Sequence, residues 1–245
     1  MRPFSRKSTA VLGCQNAAAG KSEDDGQMTD AVDVNSAVRN VLRDETWSQH
    51  KQLHLHASFR ALFKGTLERD GYRTLILRLY GFYVPLDAAI ADALQACDFD
   101  GGDYAYHPRA PLFARDLLDL GLDDDALCRA PRSPQAGAKI SSNTLGGVLY
   151  VVEGSTHGGG VIDRAARDLL GDGPPDGRRY WDWCRTQGAD RWEMTNRLLL
   201  RLQEAGTPQQ DLIEGARQTF QAIADWLMPL DRPSPSAGRS TESLS

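Results

Sequence analysis

The stretch "YVVEGSTHGGG", residues 150–160, combines two opposing signals. It continues a run of apolar residues with helical spacing, yet it contains Gly154, Gly158, Gly159 and Gly160. Each glycine destabilises a helix by about 1 kcal/mol relative to alanine. A helix that keeps this many glycines must therefore gain something from a backbone without side chains.

Two kinds of contact explain such a backbone. In one continuous helix Gly147, Gly154 and Gly158 share a face, with Ser155 and Thr156 beside it. A second helix packed closely against this face would require small residues. A flat ligand lying on the helix would require them too, with freed carbonyls and the Ser155 hydroxyl available to hold water. The spacing alone leaves both open.

The rest of the chain predicts an all-α fold. Apolar residues recur at intervals of three and four, and no convincing alternating run predicts a strand. We expect disordered tails at residues 1–33 and 229–245, and one compact multi-helix domain over residues 34–228. The predicted helices span residues 34–64, 70–97, 110–120, 142–170, 178–205 and 208–228.

Composition narrows the functional class. The chain has 28 Lys plus Arg, 33 Asp plus Glu and a net charge of −5, without a basic block, which argues against nucleic-acid binding. No apolar run approaches the roughly 20 residues that span a bilayer. The four cysteines are far apart and form no CxxC pair, which favours reduced thiols in a cytoplasmic protein.

A histidine lies on the inward face of the first long helix. Val38, Leu42, Thr46, His50 and Leu53 form one stripe, which turns the imidazole of His50 towards the core. A neutral imidazole there needs a partner, either a backbone carbonyl, a carboxylate or a metal ion.

The other histidines give weaker signals. His54 shares the face of His50, so the pair could bind one metal ion, although no third ligand is evident nearby. We expect His56 and His107 on the surface or in loops.

Four segments, in order, resemble the biliverdin-producing heme oxygenases, most closely the bacterial type found with phytochromes. "LRDETWSQHKQL" (42–53) is similar to the proximal helix, L-R-x-x-T-x-x-x-H, and "GVLYVVEGSTHGG" (147–159) to the distal helix, G-x-L-Y-V-x-E-G-S-T-x-G-G. "QGADRWEMTNRLLL" (187–200) and "ARQTFQAIADWL" (216–227) resemble the last two helices. The resemblance runs from about Ser36 to Leu227.

The resemblance implies an enzyme that cleaves heme with oxygen to biliverdin, carbon monoxide and ferrous iron. Heme b, both substrate and cofactor, would lie between His50 as axial iron ligand and a distal helix whose glycines are Gly154, Gly158 and Gly159. Backbone carbonyls near Gly154 and the hydroxyl of Ser155 would hold the water that delivers protons. A ferredoxin or an NADPH-dependent reductase would supply electrons, and a bacterial phytochrome is a possible recipient of biliverdin.

The heme propionates would need cations at the mouth of the pocket. Arg43, Arg191 and Arg197 are candidates, although each also fits an ordinary solvated helix face. Tyr150 and Trp192 fall in matched segments and could flank the pocket, although most such aromatic residues belong to the core.

The chain departs from the family in several places. His157 stands where close relatives carry an aliphatic residue, and it could ligate iron, donate a distal hydrogen bond or face outwards. Gly160 replaces a common glutamine, Ser155 is typical of the bacterial subgroup, and His54 stands where relatives often carry a carboxylate that orients the axial histidine.

Two alternative functions follow. If His157 occupies or perturbs the oxygen site, the protein would be a heme-binding sensor or carrier with little turnover. A non-heme iron oxidase would need several inward carboxylates, and apart from Glu153 the inner stripes supply none that we can assemble.

Overall fold

The computed structural model describes residues 25–97, 102–138 and 140–231. Over these residues the chain is α-helical, with one terminal 3-10 turn and no β-strand, which confirms the predicted all-α class. The helices are α1 (Asp25–His54), α2 (Ala57–Phe63), α3 (Arg69–Ala96), α4 (Ala110–Asp119), α5 (Asp124–Arg129), α6 (Ser142–Gly154), α7 (Thr156–Leu170), α8 (Arg179–Glu204) and α9 (Gln209–Leu227).

The predicted helix over residues 34–64 is divided at His56. The His56 Nδ1 accepts from the backbone N–H of Ser58, which caps α2. Its Nε2 lies 3.1 Å from the carbonyl of Leu227 and, in this tautomer, donates to it. His56 was expected on the surface or in a loop. It lies in the connection between α1 and α2, but its ring is buried between the start of α2 and the end of α9.

Two further boundaries differ from the sequence prediction. α1 begins at Asp25, inside the segment 1–33 predicted as a tail, whereas residues 1–24 and 232–245 lie outside the described residues. α5 forms in a segment predicted as a loop, because the carboxylate of Asp123 accepts from the backbone N–H of Ala126 and caps this short helix.

The predicted helix over residues 142–170 is divided at Ser155. α6 ends at Gly154 and α7 begins at Thr156. The hydroxyl of Ser155 donates to the carbonyl of Val152 at 2.7 Å, and the hydroxyl of Thr156 donates to that of Glu153 at 2.6 Å. Side-chain donors at these carbonyls compete with backbone amides and bend helices. The glycine-rich stretch is therefore a junction between two helices.

α9 packs against both α6 and α1. A Cβ added to Gly147 would lie 1.9 Å from the carbonyl oxygen of Leu212, and one added to Gly215 would lie 2.1 Å from that of Thr144. The α6 and α9 backbones are thus in contact, and helix crossing accounts for Gly147. On the other side of α9, Phe220 packs edge-on against His50 of α1.

α3 is long and apolar enough to cross a membrane by length and composition alone. Its apolar side chains lie in the domain core, which accounts for this hydropathy. The buried set includes Tyr72, Leu75, Ile76, Leu79, Phe82 and Ile90.

Two helices are capped by carboxylates from elsewhere in the chain. Asp87 of α3 accepts from the backbone N–H groups of Arg109 and Ala110 at the start of α4, at 2.8 and 2.7 Å. Asp116 of α4 accepts from those of Arg179 and Tyr180 at the start of α8, at 2.5 and 3.1 Å. These bonds satisfy amides that a helix leaves unpaired and fix how α3, α4 and α8 meet.

Candidate functional site

His50 lies half-buried on the predicted stripe of α1, below the buried residues Leu42 and Thr46. Its ring stacks on Trp47 with the centroids 5.6 Å apart, and its Nε2 lies 3.1 Å from the Nε2 of His54. Partial burial and the neighbouring His54 both lower the pKa of His50. The imidazole is therefore held in the neutral form that can bind a metal ion.

Tyr150 joins α6 to α1. Burial raises the pKa of the Tyr150 phenol, and a hydrogen bond with Thr46 and the charge of Arg43 partly offset this effect. Its ring lies 5.6 Å from that of Trp192 on α8. Tyr150 therefore links the neighbourhood of His50 to the end of α6.

Arg43 lies at the rim of this neighbourhood. Its side chain is exposed and pairs with Asp44 at 3.1 Å. Arg43, Asp44 and Trp47 border an open cavity of about 530 Å³. This guanidinium is exposed beside open space and is paired with a neighbouring carboxylate, so its predicted role towards a propionate stays a prediction.

The glycines of the α6–α7 junction have different surroundings. A Cβ on Gly154 would lie 3.2 Å from the Trp192 ring, whereas one on Gly158 would have no described heavy atom within 4 Å. The ring of His157 meets Trp192 edge-on at 5.1 Å, and partial burial lowers its pKa. Part of the bare backbone is covered by an indole, and the part at Gly158 is open.

Ser155 is more constrained than the sequence suggests. Its hydroxyl donates to the carbonyl of Val152, and the phenols of Tyr83 and Tyr180 lie near it. Burial raises the pKa of both phenols, so they stay protonated. Three hydroxyl groups therefore cluster near the helix junction, two of them on buried phenols.

Two predicted heme contacts are corrected. A Cβ on Gly159 would lie 2.1 Å from the Cβ of Cys184, so this glycine serves the crossing of α7 and α8. Arg191 is buried in an ion pair with Glu153 and does not reach a pocket mouth.

Arg197 lies at the surface in two ion pairs. Its guanidinium binds Asp103 at 2.7 Å and Glu193 at 2.8 Å. The arrangement fits an ordinary solvated helix face, because exposed pairs of this kind contribute little to stability. A propionate would have to displace one of these carboxylates.

Glu153 forms a buried network that sequence reasoning missed. Its carboxylate accepts from Arg109 at 2.5 Å, from Tyr104 at 2.9 Å and from Arg191. The side chains of Glu153 and Arg109 are both fully buried. The available sequence signal was one acidic residue in the apolar run "LYVVEG", directly before the junction.

Other features of the described residues lie apart from this neighbourhood. No three His, Cys, Asp or Glu side chains there converge as a metal site, so the carboxylate set of a non-heme iron oxidase is not assembled in that part of the chain. A separate cavity of about 370 Å³ opens between α3, α6 and α9, and is lined by Leu86, Val148 and Ala222 among others. Helical periodicity places its α9 residues opposite Phe220.

Comparison with known proteins identifies the family. The model of the heme oxygenase family matches residues 36–228, most of the chain. The chain belongs to the heme oxygenase family. It is therefore an enzyme of heme degradation.

Two relatives of this heme oxygenase illustrate the match. The heme oxygenase of Xanthomonas campestris pv. campestris (strain 8004) is 27% identical over 174 residues, which cover 71% of this chain and 99% of that protein. The crystal structure of heme oxygenase-1 from the cyanobacterium Synechocystis sp. PCC6803 in complex with heme shares the fold. It matches with a TM-score of 0.60 at 15% identity and covers 79% of this chain and 91% of the other.

Proposed function

We propose that this heme oxygenase cleaves heme with oxygen to biliverdin, carbon monoxide and ferrous iron. His50 would hold the heme iron, and the substrate would lie between α1 and the α6–α7 junction. The observation that carries the proposal is the uncovered helical backbone at Gly158. The other glycines of the stretch meet Trp192, Cys184 or, at Gly160, the aliphatic part of Arg185. Gly158 meets nothing among the described residues, although it destabilises α7 by about 1 kcal/mol.

The residues present fit a heme. His50 offers a neutral imidazole, Arg43 offers an exposed guanidinium for a propionate, and Gly158 offers a backbone on which a flat ring can lie. Heme, when bound, supplies both the iron that activates oxygen and the carbon that is oxidised. The rings of Trp47 and Phe220 hold the imidazole of His50 in orientation from two sides.

The hydroxyl groups near Ser155 give this site side chains that can relay protons. The phenols of Tyr83 and Tyr180 stay protonated and lie near Ser155. Ser155 in turn lies between Gly154 and Thr156, where the backbone bends. Protons held at the Ser155 oxygen are therefore positioned beside the open backbone, where the reaction consumes them.

The position of the His157 side chain favours an enzyme over a heme-binding sensor or carrier. Its ring packs edge-on against Trp192, which gives the imidazole a contact within the protein. A heme sensor or carrier would instead require this ring to occupy the oxygen site. We propose the enzyme as the primary function, with electrons from a ferredoxin or a reductase and with delivery of biliverdin to a bacterial phytochrome in the cytoplasm.

Anaerobic reduction of the hemin complex, followed by exposure to air, tests the proposal. We expect the Soret band to disappear and biliverdin absorption to replace it. A protein that is only reduced and reoxidised would be a carrier. His50→Ala should lose the spectrum of histidine-ligated iron, while His107→Ala, in a loop histidine stacked on Trp183, should keep it. An unchanged spectrum in His50→Ala would refute the axial assignment.

A further inference from the structure

The two ring nitrogens of His50 and His54 converge outside the protein core. They lie four residues apart on α1, and their Nε2 atoms are 3.1 Å from each other. The rings meet edge-on with their centroids 4.5 Å apart. Helices that bind zinc through paired histidines use this same spacing of four residues.

The separation suits chelation of a metal ion. With bonds of about 2.05 Å from zinc to each imidazole nitrogen, a nitrogen separation of 3.1 Å gives an angle of about 98° at the metal. This value lies between the angles of octahedral and tetrahedral coordination. Without the ion this contact is a hydrogen bond, so one Nε2 carries a proton and that ring has to change tautomer for both nitrogens to bind an ion.

The surroundings leave the pair accessible and ordered. His54 is exposed, whereas His50 is half-buried and fixed by Trp47 and Phe220. No third His, Cys, Asp or Glu of the described chain joins them. The remaining coordination positions would therefore be taken by water, which makes binding reversible and exchange fast.

We propose that His50 and His54 form a two-nitrogen chelating site for a divalent first-row transition-metal ion in the heme-free protein. Imidazole suits zinc, copper, nickel and iron, and copper is expected to bind most tightly. The physiological role of this site rests on the proposed function, in which the reaction releases ferrous iron at this place. His54 would then offer the released iron a second nitrogen beside His50 and open a path to solvent.

Titration of the heme-free protein with Zn²⁺ and with Co²⁺ tests the site without heme. We expect one ion per chain, with no intense thiolate absorption in the cobalt complex, since Cys128, exposed among the described residues, and Cys14, outside them, are competing ligands to be excluded. Mutating a residue that only hydrogen-bonds to a metal ligand already reduces metal affinity by about 10–100-fold. Removing one of the two ligating imidazoles should therefore reduce the affinity for the ion by about tenfold or more. This loss should occur in both His50→Ala and His54→Ala, and not in His107→Ala.

The failure of this proposal is separable from failure of the proposed function. His54→Ala removes an exposed side chain and introduces the best helix former, so the helical circular dichroism should persist. If neither ion binds saturably, or if only one of the two variants loses affinity, the chelate is overturned whatever hemin does. If hemin fails to bind while Zn²⁺ binds through both histidines, the heme assignment fails and the chelate stands.

Discussion

His157 directly follows the α6–α7 junction and packs edge-on against Trp192. We expect His157→Leu to retain or increase turnover, because leucine keeps the apolar contact with Trp192 and cannot ligate iron. The rate of biliverdin formation under a fixed electron supply measures this effect. Complete loss of activity in His157→Leu would instead make the imidazole a required hydrogen-bonding group.

Glu153 is a buried carboxylate that pairs with two buried guanidinium groups. Glu153→Gln leaves the buried guanidiniums of Arg109 and Arg191 without their counter-charge, which should lower the free energy of unfolding by about 3–5 kcal/mol. Urea denaturation measures this change in the free energy of unfolding. Glu193→Gln is the matched control, because it breaks an exposed pair with Arg197 and should change stability by less than about 1 kcal/mol. Equal effects of the two variants would contradict the buried network.

Two glycines of α7, close to its junction with α6, allow a test of helix stability and of hemin binding. Gly158→Ala and Gly160→Ala both place a methyl group on α7 without a clash, so each should stabilise the heme-free protein by up to about 1 kcal/mol. If the porphyrin lies on Gly158, overpacking there should weaken hemin binding by about 1–3 kcal/mol. Gly160→Ala should bind hemin normally.

Thermal unfolding and hemin titration of both variants separate these effects. Equal hemin affinities for Gly158→Ala and Gly160→Ala would remove Gly158 from the pocket. A destabilised Gly158→Ala in the absence of heme would show that the chain itself covers this position.

Helix positions were predictable from sequence where a helix ends on local signals. α3, α4, α8 and α9 lie close to the predicted ranges because glycine, proline and aspartate mark their ends. The breaks at His56 and Ser155 were not predictable, because each depends on side-chain bonds to carbonyls that a periodic pattern does not reveal. The stripe of α1 that carries His50 was readable because its residues recur at helical spacing.

Site residues that act through distant partners could not be predicted. Arg191 and Gly159 lie in segments similar to the family, yet their partners are Glu153 and Cys184 on other helices. A single sequence shows which residues share a face and does not show which face meets which helix. His50 and Gly158 could be proposed as site residues from the sequence because a polar residue on an apolar stripe and a glycine inside a helix are anomalies along the chain itself.

The stability of the whole molecule should depend on Asp116. Burial raises the pKa of Asp116 to about 7 from its ordinary 3.8, against the bonds from the backbone amides of α8. Between pH 3.8 and about pH 7 the carboxyl of Asp116 holds a proton in the folded protein that it has lost in the unfolded chain. The stabilisation that this protonated carboxyl gives is therefore complete below pH 3.8 and is lost as the pH rises towards 7.

Asp116→Asn should flatten this dependence. We expect the free energy of unfolding to fall less between pH 5 and pH 8 in Asp116→Asn than in the wild type. Asp119→Asn is the control: although partial burial opposes it, the hydrogen bond from Arg179 lowers the pKa of Asp119, so its contribution changes only at more acidic pH. Identical slopes in the wild type and Asp116→Asn would show that Asp116 does not titrate in this range.

The contact of bare backbone between α6 and α9 has a consequence for substrate choice. α9 contacts α1 through Phe220, and it contacts α6 where Gly147 of α6 and Gly215 of α9 bring the two backbones together. The position of α9 therefore sets the distance between α1 and α6. Exchanging these glycines for alanine would increase this distance by about the size of a methyl group. If heme lies between α1 and the α6–α7 junction as proposed, residues that never touch it would thus select among tetrapyrroles of different thickness.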